Sequence, residues 1–199
     1  MASRKKSGPH PDMNSPLVFD VSRLGRRPGS MLTVSQAVSS PRRIGLDLVA
    51  IESGAEMDLD LRFEAVSEGV LVTGTMDAPT RGECSRCLAP ITGEVEIDLT
   101  ELFAYPDSIT ESTTDAEEIG RVIDQTVDLT QPIIDAVGLA LPFVPVCTED
   151  CPGLCPQCGV ALATAEAGHH HDLIDPRWAK LAALRPSDPD GTDPDGAPS

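Results

Sequence analysis

The chain has 199 residues, of which 40% are apolar but only 3% aromatic, so we expect a modest core built mainly from Val, Leu, Ile and Ala. The net charge is −17; residues 1–45 hold eight basic and two acidic residues, a net of +6, which leaves −23 for the remainder. No apolar run approaches the roughly 18 residues of a membrane-spanning helix, and no apolar segment follows the basic start as in a signal peptide. We therefore expect a cytoplasmic protein with no membrane span, a basic arm and an acidic body.

Composition divides the chain into three parts. Residues 1–15, rich in Ser, Gly, Pro, Lys and Arg, are predicted to be a disordered basic arm. Residues 16–185 are predicted to form a single domain that opens with a short extended segment at 16–21. The basic loop at 23–29 is typical of a solvated loop or of a contact with RNA or an acidic surface. Residues 186–199 are a low-complexity acidic tail, also predicted to be disordered.

Two β-hairpins are predicted in the first half of the domain. Between residues 57 and 65, apolar residues occupy every odd position and charged residues lie between them. A period of two predicts a strand with one buried and one exposed face. After a turn at 67–69, residues 70–76 predict the returning strand of an antiparallel hairpin. A second hairpin is predicted from strands near 80–84 and 93–103.

The second half of the domain is predicted to contain helices. An acidic loop rich in Ser and Thr is expected at 106–118, followed by a short strand within 121–128. Residues 129–141 predict a helix with Thr130 as its N-cap and an apolar face that packs on the sheet. Residues 174–184, which contain the only tryptophan, predict an amphipathic helix that docks on its own domain or binds a partner.

These elements predict an α+β fold in which antiparallel β-hairpins form a small sheet or partial barrel with one packed helix. Its most informative feature is a set of six cysteines in two groups, which predicts a zinc-ribbon-like pair of knuckles at 84–87 and 147–158. The cysteines are Cys84, Cys87, Cys147, Cys151, Cys155 and Cys158. Two thiolates separated by two residues can face one ion, because the turn between them folds the chain back.

A tetrahedral zinc site with four thiolate ligands is the favoured interpretation of this spacing. The first-choice ligands are the two Cys-x-x-Cys pairs, which are Cys84, Cys87, Cys155 and Cys158. Cys147 and Cys151 are alternates for either pair, and the four C-terminal cysteines could instead form a local site. A closed site of this kind leaves no position for a substrate, so it indicates a structural metal.

The cysteine pattern is also compatible with functions other than structural zinc binding. A redox Cys-x-x-Cys, disulfides and an iron–sulfur cluster are the alternatives, although no βαβ pattern surrounds either pair and no secretory signal precedes them. The run from His169 to His171 is interpreted as a solvated loop in preference to a metal site, with one histidine as a fallback ligand. Phosphate-binding, GxSxG and HExxH motifs are absent from the sequence, and the carboxylates alternate with core residues on exposed strands. We do not expect an enzyme.

The ordered set of motifs resembles the YceD proteins, also called the DUF177 family. The resemblance extends over 16–185 and is carried by Glu83-Cys-Ser-Arg-Cys-Leu88, the segment 128–147, Cys151-Pro-Gly-Leu-Cys-Pro-Gln-Cys-Gly159 and the segment 175–184. It implies a non-enzymatic factor that supports synthesis, processing or stability of large-subunit ribosomal RNA. It also implies a role for the six cysteines, whereas the longer basic arm, the His169–His171 run and the acidic tail depart from the family pattern.

The charge distribution suggests how such a factor makes its contacts. An acidic body repels phosphates and attracts basic proteins, so we expect the body to bind a basic ribosomal protein or a large-subunit assembly factor. The basic N-terminal arm is expected to reach ribosomal RNA. The alternative interpretation is a zinc-ribbon module for protein interaction in transcription or regulation.

Overall fold

The computed structural model describes residues 12–106, 108–115 and 119–171. The predictions for most of the basic arm, for the helix at 174–184 and for the acidic tail lie outside these ranges. The chain divides into two compact units, Met1–Gly153 and Leu154–Ser199, which are described separately. All regular strands and helices of the described residues belong to the first unit.

The first unit is mostly β-structure with few helices. Its strands are β1 (Val18–Asp20), β2 (Met31–Ser39), β3 (Ile44–Gly45), β4 (Val49–Ile51), β5 (Glu56–Ala65), β6 (Gly69–Glu83), β7 (Pro90–Ala104), β8 (Gly120–Arg121) and β9 (Thr126–Asp128). Its helices are α1 (Ile109–Thr113) and α2 (Thr130–Ala140), with a 3-10 turn at Ser22–Leu24. Neither helix of the described residues combines the length and the apolar content that crossing a membrane would require.

The long strand β6 lies at the centre of a seven-stranded sheet. One of its edges pairs with β5 in the first part of the strand and with β4 in the last part. Its other edge pairs with β7 over its whole length, from Gly69 opposite Ala104 to Glu83 opposite Pro90. β2 extends the sheet beyond β5, and β3 extends it beyond β4. These pairings are antiparallel, β8 adds to β7 in parallel, and β1 and β9 form a separate two-stranded sheet.

The prediction of two separate hairpins is wrong in one respect, because both share the strand β6. The sequence pattern predicts one strand that ends at Met76 and another that begins near residue 80. In the structure the strand continues through Pro79, which lies between the residues paired with β5 and those paired with β4. Proline interrupts a sheet least where a neighbouring ladder is already interrupted. The continuous strand therefore connects the first hairpin directly to Cys84.

The core follows the alternation predicted for β5. Met57, Leu59, Leu61 and Phe63 are buried, and the charged residues between them point outward. The buried residues of the first unit form one apolar cluster dominated by Val, Leu and Ile, in which Phe19 and Phe63 are in contact with ring centres 5.4 Å apart. The predicted strand at 57–65 is thereby confirmed, one residue shorter than β5 at its start.

The helix α2 begins at Thr130, so the prediction that Thr130 is its N-cap is wrong. The N-cap is Leu129, and the Thr130 N–H donates to Asp128 Oδ1 at 2.8 Å. The aspartate thus supplies the acceptor that capping requires. Ile133 and Val137 of α2 are buried within the apolar cluster, and the helix ends at Ala140, two residues before Pro142.

Candidate metal centres

The β6–β7 hairpin places the first cysteine pair at its tip. Cys84 follows β6 directly, and its N–H donates to the Ala89 carbonyl at 2.8 Å, while the Leu88 N–H returns to the Cys84 carbonyl at 2.9 Å. Leu88 has a positive φ of 60°, which closes this turn. The sulfurs of Cys84 and Cys87 are therefore fixed on a short loop between two paired strands.

The segment after α2 brings two further cysteines to this loop, and we call the four together cluster one: Cys84, Cys87, Cys147 and Cys151. The sulfurs of Cys84 and Cys151 are 3.8 Å apart, and those of Cys87 and Cys147 are 3.7 Å apart. A tetrahedral zinc ion with Zn–S bonds of about 2.3 Å has S–S edges of about 3.8 Å, whereas a disulfide requires about 2.05 Å. All six cysteines are free thiols, and cluster one could hold a metal ion.

The backbone around Cys84 favours its thiolate. Burial raises the pKa of Cys84, but N–H groups of Cys87, Cys147 and Arg86 point at its sulfur and lower the pKa to about 6. Hydrogen bonds to the charged form of a group stabilise that form. These N–H groups therefore stabilise Cys84 as a thiolate, the form that binds metal ions.

Cys151 shows the opposite behaviour. The N–H of Gly153 favours its thiolate, but burial and the three neighbouring sulfurs outweigh this effect and raise the pKa of Cys151 to about 12. Four sulfurs this close cannot all carry negative charge without a counter-charge between them. A cation at the centre of cluster one would provide that charge.

Arg86 connects the two loops of cluster one. Its Nη1 atom lies 3.1 Å from the carbonyl oxygen of Glu149 and 3.1 Å from that of Cys151. In addition, the Ser85 N–H donates to the Pro145 carbonyl at 2.8 Å. These contacts hold the hairpin tip against the segment that follows α2, so Arg86 positions ligands without being one.

Replacing Arg86 with alanine should lower the zinc affinity of cluster one by about ten-fold or more, because groups that orient metal ligands have effects of that size. A competition titration with a zinc-binding dye would measure this. Arg81→Ala, which removes an exposed arginine from β6, is the matched control and should leave the affinity unchanged. Equal affinities for the two variants would contradict the positioning role.

A second group of ligands lies within the Leu154–Ser199 unit, and we call it cluster two: Cys155, Cys158, His169 and His171. The Cys155 N–H donates to the Val160 carbonyl, and the Gly159 N–H donates to the Cys155 carbonyl, each at 2.8 Å. Gly159 has φ +73°, a conformation that favours glycine. This turn presents Cys155 and Cys158 on the same side.

The two histidines converge on Cys158. Its sulfur lies 3.4 Å from His169 Nε2 and 3.3 Å from His171 Nε2, and these two nitrogens are 3.1 Å apart. A tetrahedral zinc ion bound by two sulfurs and two nitrogens has S–N edges of about 3.6 Å and N–N edges of about 3.3 Å. Cluster two could therefore also hold a metal ion. His170 turns away, with Nδ1 2.7 Å from the Gly168 carbonyl oxygen.

The backbone of cluster two favours the thiolate of Cys155. N–H groups of Cys158 and Gln157 point at its sulfur and outweigh the effect of burial, and His169 adds to them, so the pKa of Cys155 is lowered to about 6. The remaining ligands differ in accessibility, because Cys155 is buried and His169 half-buried, whereas Cys158 and His171 are exposed.

The structure distributes the first-choice ligands over both clusters. Cys84 and Cys87 lie with the alternates Cys147 and Cys151, and Cys155 and Cys158 lie with two histidines. The interpretation of residues 169–171 as a solvated loop missed His169 and His171, whose Nε2 atoms contact the Cys158 sulfur. The spacing His-x-His after a Cys-x-x-Cys is the signal that could have identified them, because alternate residues of an extended segment point to the same side.

Comparison with known proteins identifies the family. Residues 72–185, which include both clusters, match the family model described as "Large ribosomal RNA subunit accumulation protein YceD". The chain belongs to the YceD family. The resemblance stated from the sequence over 16–185 is therefore confirmed, with the match itself covering 72–185, and the described role of the YceD family is in the accumulation of large-subunit ribosomal RNA.

Relatives of this YceD-family chain are found in mycobacteria. Proteins described as uncharacterized from Mycobacterium tuberculosis (strain ATCC 25618 / H37Rv) and Mycobacterium bovis are each 66% identical over 170 residues, which cover 85% of this chain and 82% of the relative. A protein of Mycobacterium leprae, also described as uncharacterized, is 54% identical over 186 residues, covering 93% of this chain and 85% of the relative. No solved structure gives a significant match.

Proposed function

We propose that this YceD-family protein is a non-enzymatic factor that supports the synthesis, processing or stability of large-subunit ribosomal RNA, with structural zinc in cluster one. The observation that carries the proposal is the family match, which includes β7 and every ligand of both clusters. Since the match begins within β6 and continues beyond cluster two, it concerns a long stretch of the chain and not a single short motif.

Zinc is the ion that best fits cluster one. Its donors are four thiolates, and soft sulfur ligands in a tetrahedral arrangement favour zinc or an iron–sulfur centre. The sulfur separations of 3.7 and 3.8 Å suit one small ion at the centre. With all four positions occupied by protein ligands, such an ion supplies folding energy and leaves no place for a substrate.

The negative charge on the exposed face of the central sheet is the reason to propose a basic partner. In the strand register, Asp58 lies opposite Asp77, which in turn lies opposite Glu96, so three carboxylates form a row across β5, β6 and β7. One step along the sheet, Asp60 and Asp98 flank Thr75 in the same way. We call the five acidic residues the acidic face: Asp58, Asp60, Asp77, Glu96 and Asp98. Like charges on directly opposite positions are destabilising.

No ion pair offsets this repulsion within the described residues 12–106, 108–115 and 119–171. The nearest arginine in the next row, Arg62, pairs with Glu64 at 2.9 Å. A basic protein bound to the acidic face would neutralise it, and electrostatic complementarity of this kind speeds association and selects the partner. We therefore propose a basic ribosomal protein or a large-subunit assembly factor as the partner.

Ribosomal RNA would contact a different part of the chain. Arg23, Arg26 and Arg27 are exposed on the loop after β1. The guanidinium carbon of Arg26 lies 4.9 Å from the centre of the Tyr105 ring, beside a cavity of about 380 Å³ that both residues line. Guanidinium groups bind phosphates and stack on unpaired bases. This loop and the basic arm at 1–15 carry positive charge that suits RNA.

The test is the ratio of large-subunit to small-subunit ribosomal RNA after depletion of the protein in its own cells. We expect a selective fall of the large-subunit species that wild-type protein restores. Cys84→Ser, which removes a ligand of cluster one, should fail to restore it. An unchanged ratio would contradict the proposal, and co-purification with RNA polymerase instead of precursor particles would favour a module in transcription.

A further inference from the structure

Residues 154–171 hold a defined conformation without an apolar core. Cys155 is the one buried residue among them, and the sole β-contact is an isolated bridge between Leu154 and Ala161. Val160 is 37% exposed. Burial of apolar surface is the dominant favourable contribution to most folds, and this segment has almost none. Its order must therefore come from another source.

Cluster two is placed so that a bound ion could hold residues 154–171 together. It connects the turn at residues 155–159 with the histidines ten or more positions later, so it closes the segment on itself. The His169 and His171 rings meet edge to face with centres 4.7 Å apart, and both Nε2 atoms point to the sulfur of Cys158. Each neutral imidazole has a single N–H, so hydrogen bonds alone leave few donors for the nitrogens and sulfurs that meet here. One shared cation could accept a lone pair from each of them.

We propose that cluster two binds a second metal ion of its own, of the zinc class, and that this ion is the core of residues 154–171. The donor set of two thiolates and two imidazoles is one that tetrahedral zinc accepts. His169 and His171 would thus act as ligands beside Cys155 and Cys158, and binding of this ion would not depend on any role of the protein in ribosomal RNA accumulation.

The two ions should be separable. Cluster one belongs to a unit with an extensive apolar core, and half of its sulfurs are buried. Cluster two has two exposed ligands, and the described residues 154–171 form no apolar core around it, so its ion is open to competing chelators. Loss of that ion should unfold residues 154–171 and leave the sheet of the first unit folded, because metal binding is coupled to the folding of the segment that supplies the ligands.

Metal content of the full-length protein tests the site, with His170 as an internal control. We expect two zinc ions per chain in the wild type and in His170→Ala, and one in the double variant His169→Ala/His171→Ala. Plasma mass spectrometry gives the stoichiometry. One ion in the wild type, two in the double variant, or loss of an ion in His170→Ala would overturn the proposal.

Cobalt substitution and hydrogen exchange test the separation of the two sites. Cobalt spectra of the double variant should retain the strong thiolate-to-cobalt absorption of a four-sulfur site and lose the weaker contribution of a mixed site. Amide exchange should accelerate by at least ten-fold in residues 154–171 alone, with an unchanged melting transition for the sheet. Loss of that transition in the double variant, or unaltered exchange in 154–171, would show that the second ion is not a local core.

Discussion

Replacing Cys84 with serine should abolish tight metal binding in cluster one and strongly destabilise the first unit. An ion present at about 1,000 times its dissociation constant contributes about 4 kcal/mol to the folded state, and this contribution disappears with the site. Cys84 is fully buried at the end of the central strand, so the loss acts on the sheet itself. Denaturant unfolding with and without a chelator would measure the change in the free energy of unfolding.

Ser85 offers a matched control for this variant. Its Oγ atom is buried and has no hydrogen-bond partner among the described residues, and removing an unsatisfied buried hydroxyl is neutral or slightly stabilising. Ser85→Ala should therefore keep the ion and the stability of the wild type. If Cys84→Ser retained both the ion and the wild-type free energy of unfolding, the structural role of cluster one would be wrong.

Neutralising the acidic face should separate partner binding from stability. The isosteric variant Asp58→Asn/Asp77→Asn/Glu96→Gln removes the row of three carboxylates without changing its shape. We expect binding to large-subunit precursor particles to fall by about ten-fold or more, because charge complementarity governs association. The folded protein should become slightly more stable, since each opposed like-charge pair contributes roughly 0.2–1 kcal/mol of repulsion. Co-sedimentation and thermal melting measure the two effects.

A control with the same change of charge is available elsewhere on the first unit. Asp47→Asn/Asp135→Asn/Glu149→Gln alters three exposed carboxylates that lie outside the strands of the acidic face. It should bind precursor particles as the wild type does, and added salt should release both proteins, since salt screens surface charge. Equal binding of the two triple variants would show that the acidic face is not the contact.

Local pattern was sufficient to predict the central hairpin. Between residues 57 and 65 each second side chain is apolar, and this period corresponds to one buried face in any sheet that the strand joins. β2 carries a weaker form of this signal, because Leu32, Val34 and Val38 alternate with small or polar residues but are only half-buried against the core, and Gln36 interrupts their row. Its place in the sheet is determined by pairing with β5. Pairing between strands that are distant in sequence cannot be predicted from the local pattern of either strand.

The grouping of the metal ligands could not be predicted from spacing. Two similar Cys-x-x-Cys pairs suggested a common site, but which ligands meet depends on where α2 directs the chain after Pro142. In the structure it brings Cys147 and Cys151 to the hairpin tip, which leaves the second pair to the histidines. Ligand types are thus visible in the sequence, whereas their partners are decided by the path of the backbone between them.

The wide separation of the ligands of cluster one has a consequence during synthesis of the chain. Cys87 and Cys147 are 60 residues apart, an interval of about 3–12 s at translation rates of roughly 5–20 residues per second. The β6–β7 hairpin can form in that interval while the nascent chain offers only two sulfurs to an ion. The four-ligand centre is completed only after β7, β8, β9 and α2 have been made, so an ion bound by all four sulfurs would mark the end of assembly of the first unit.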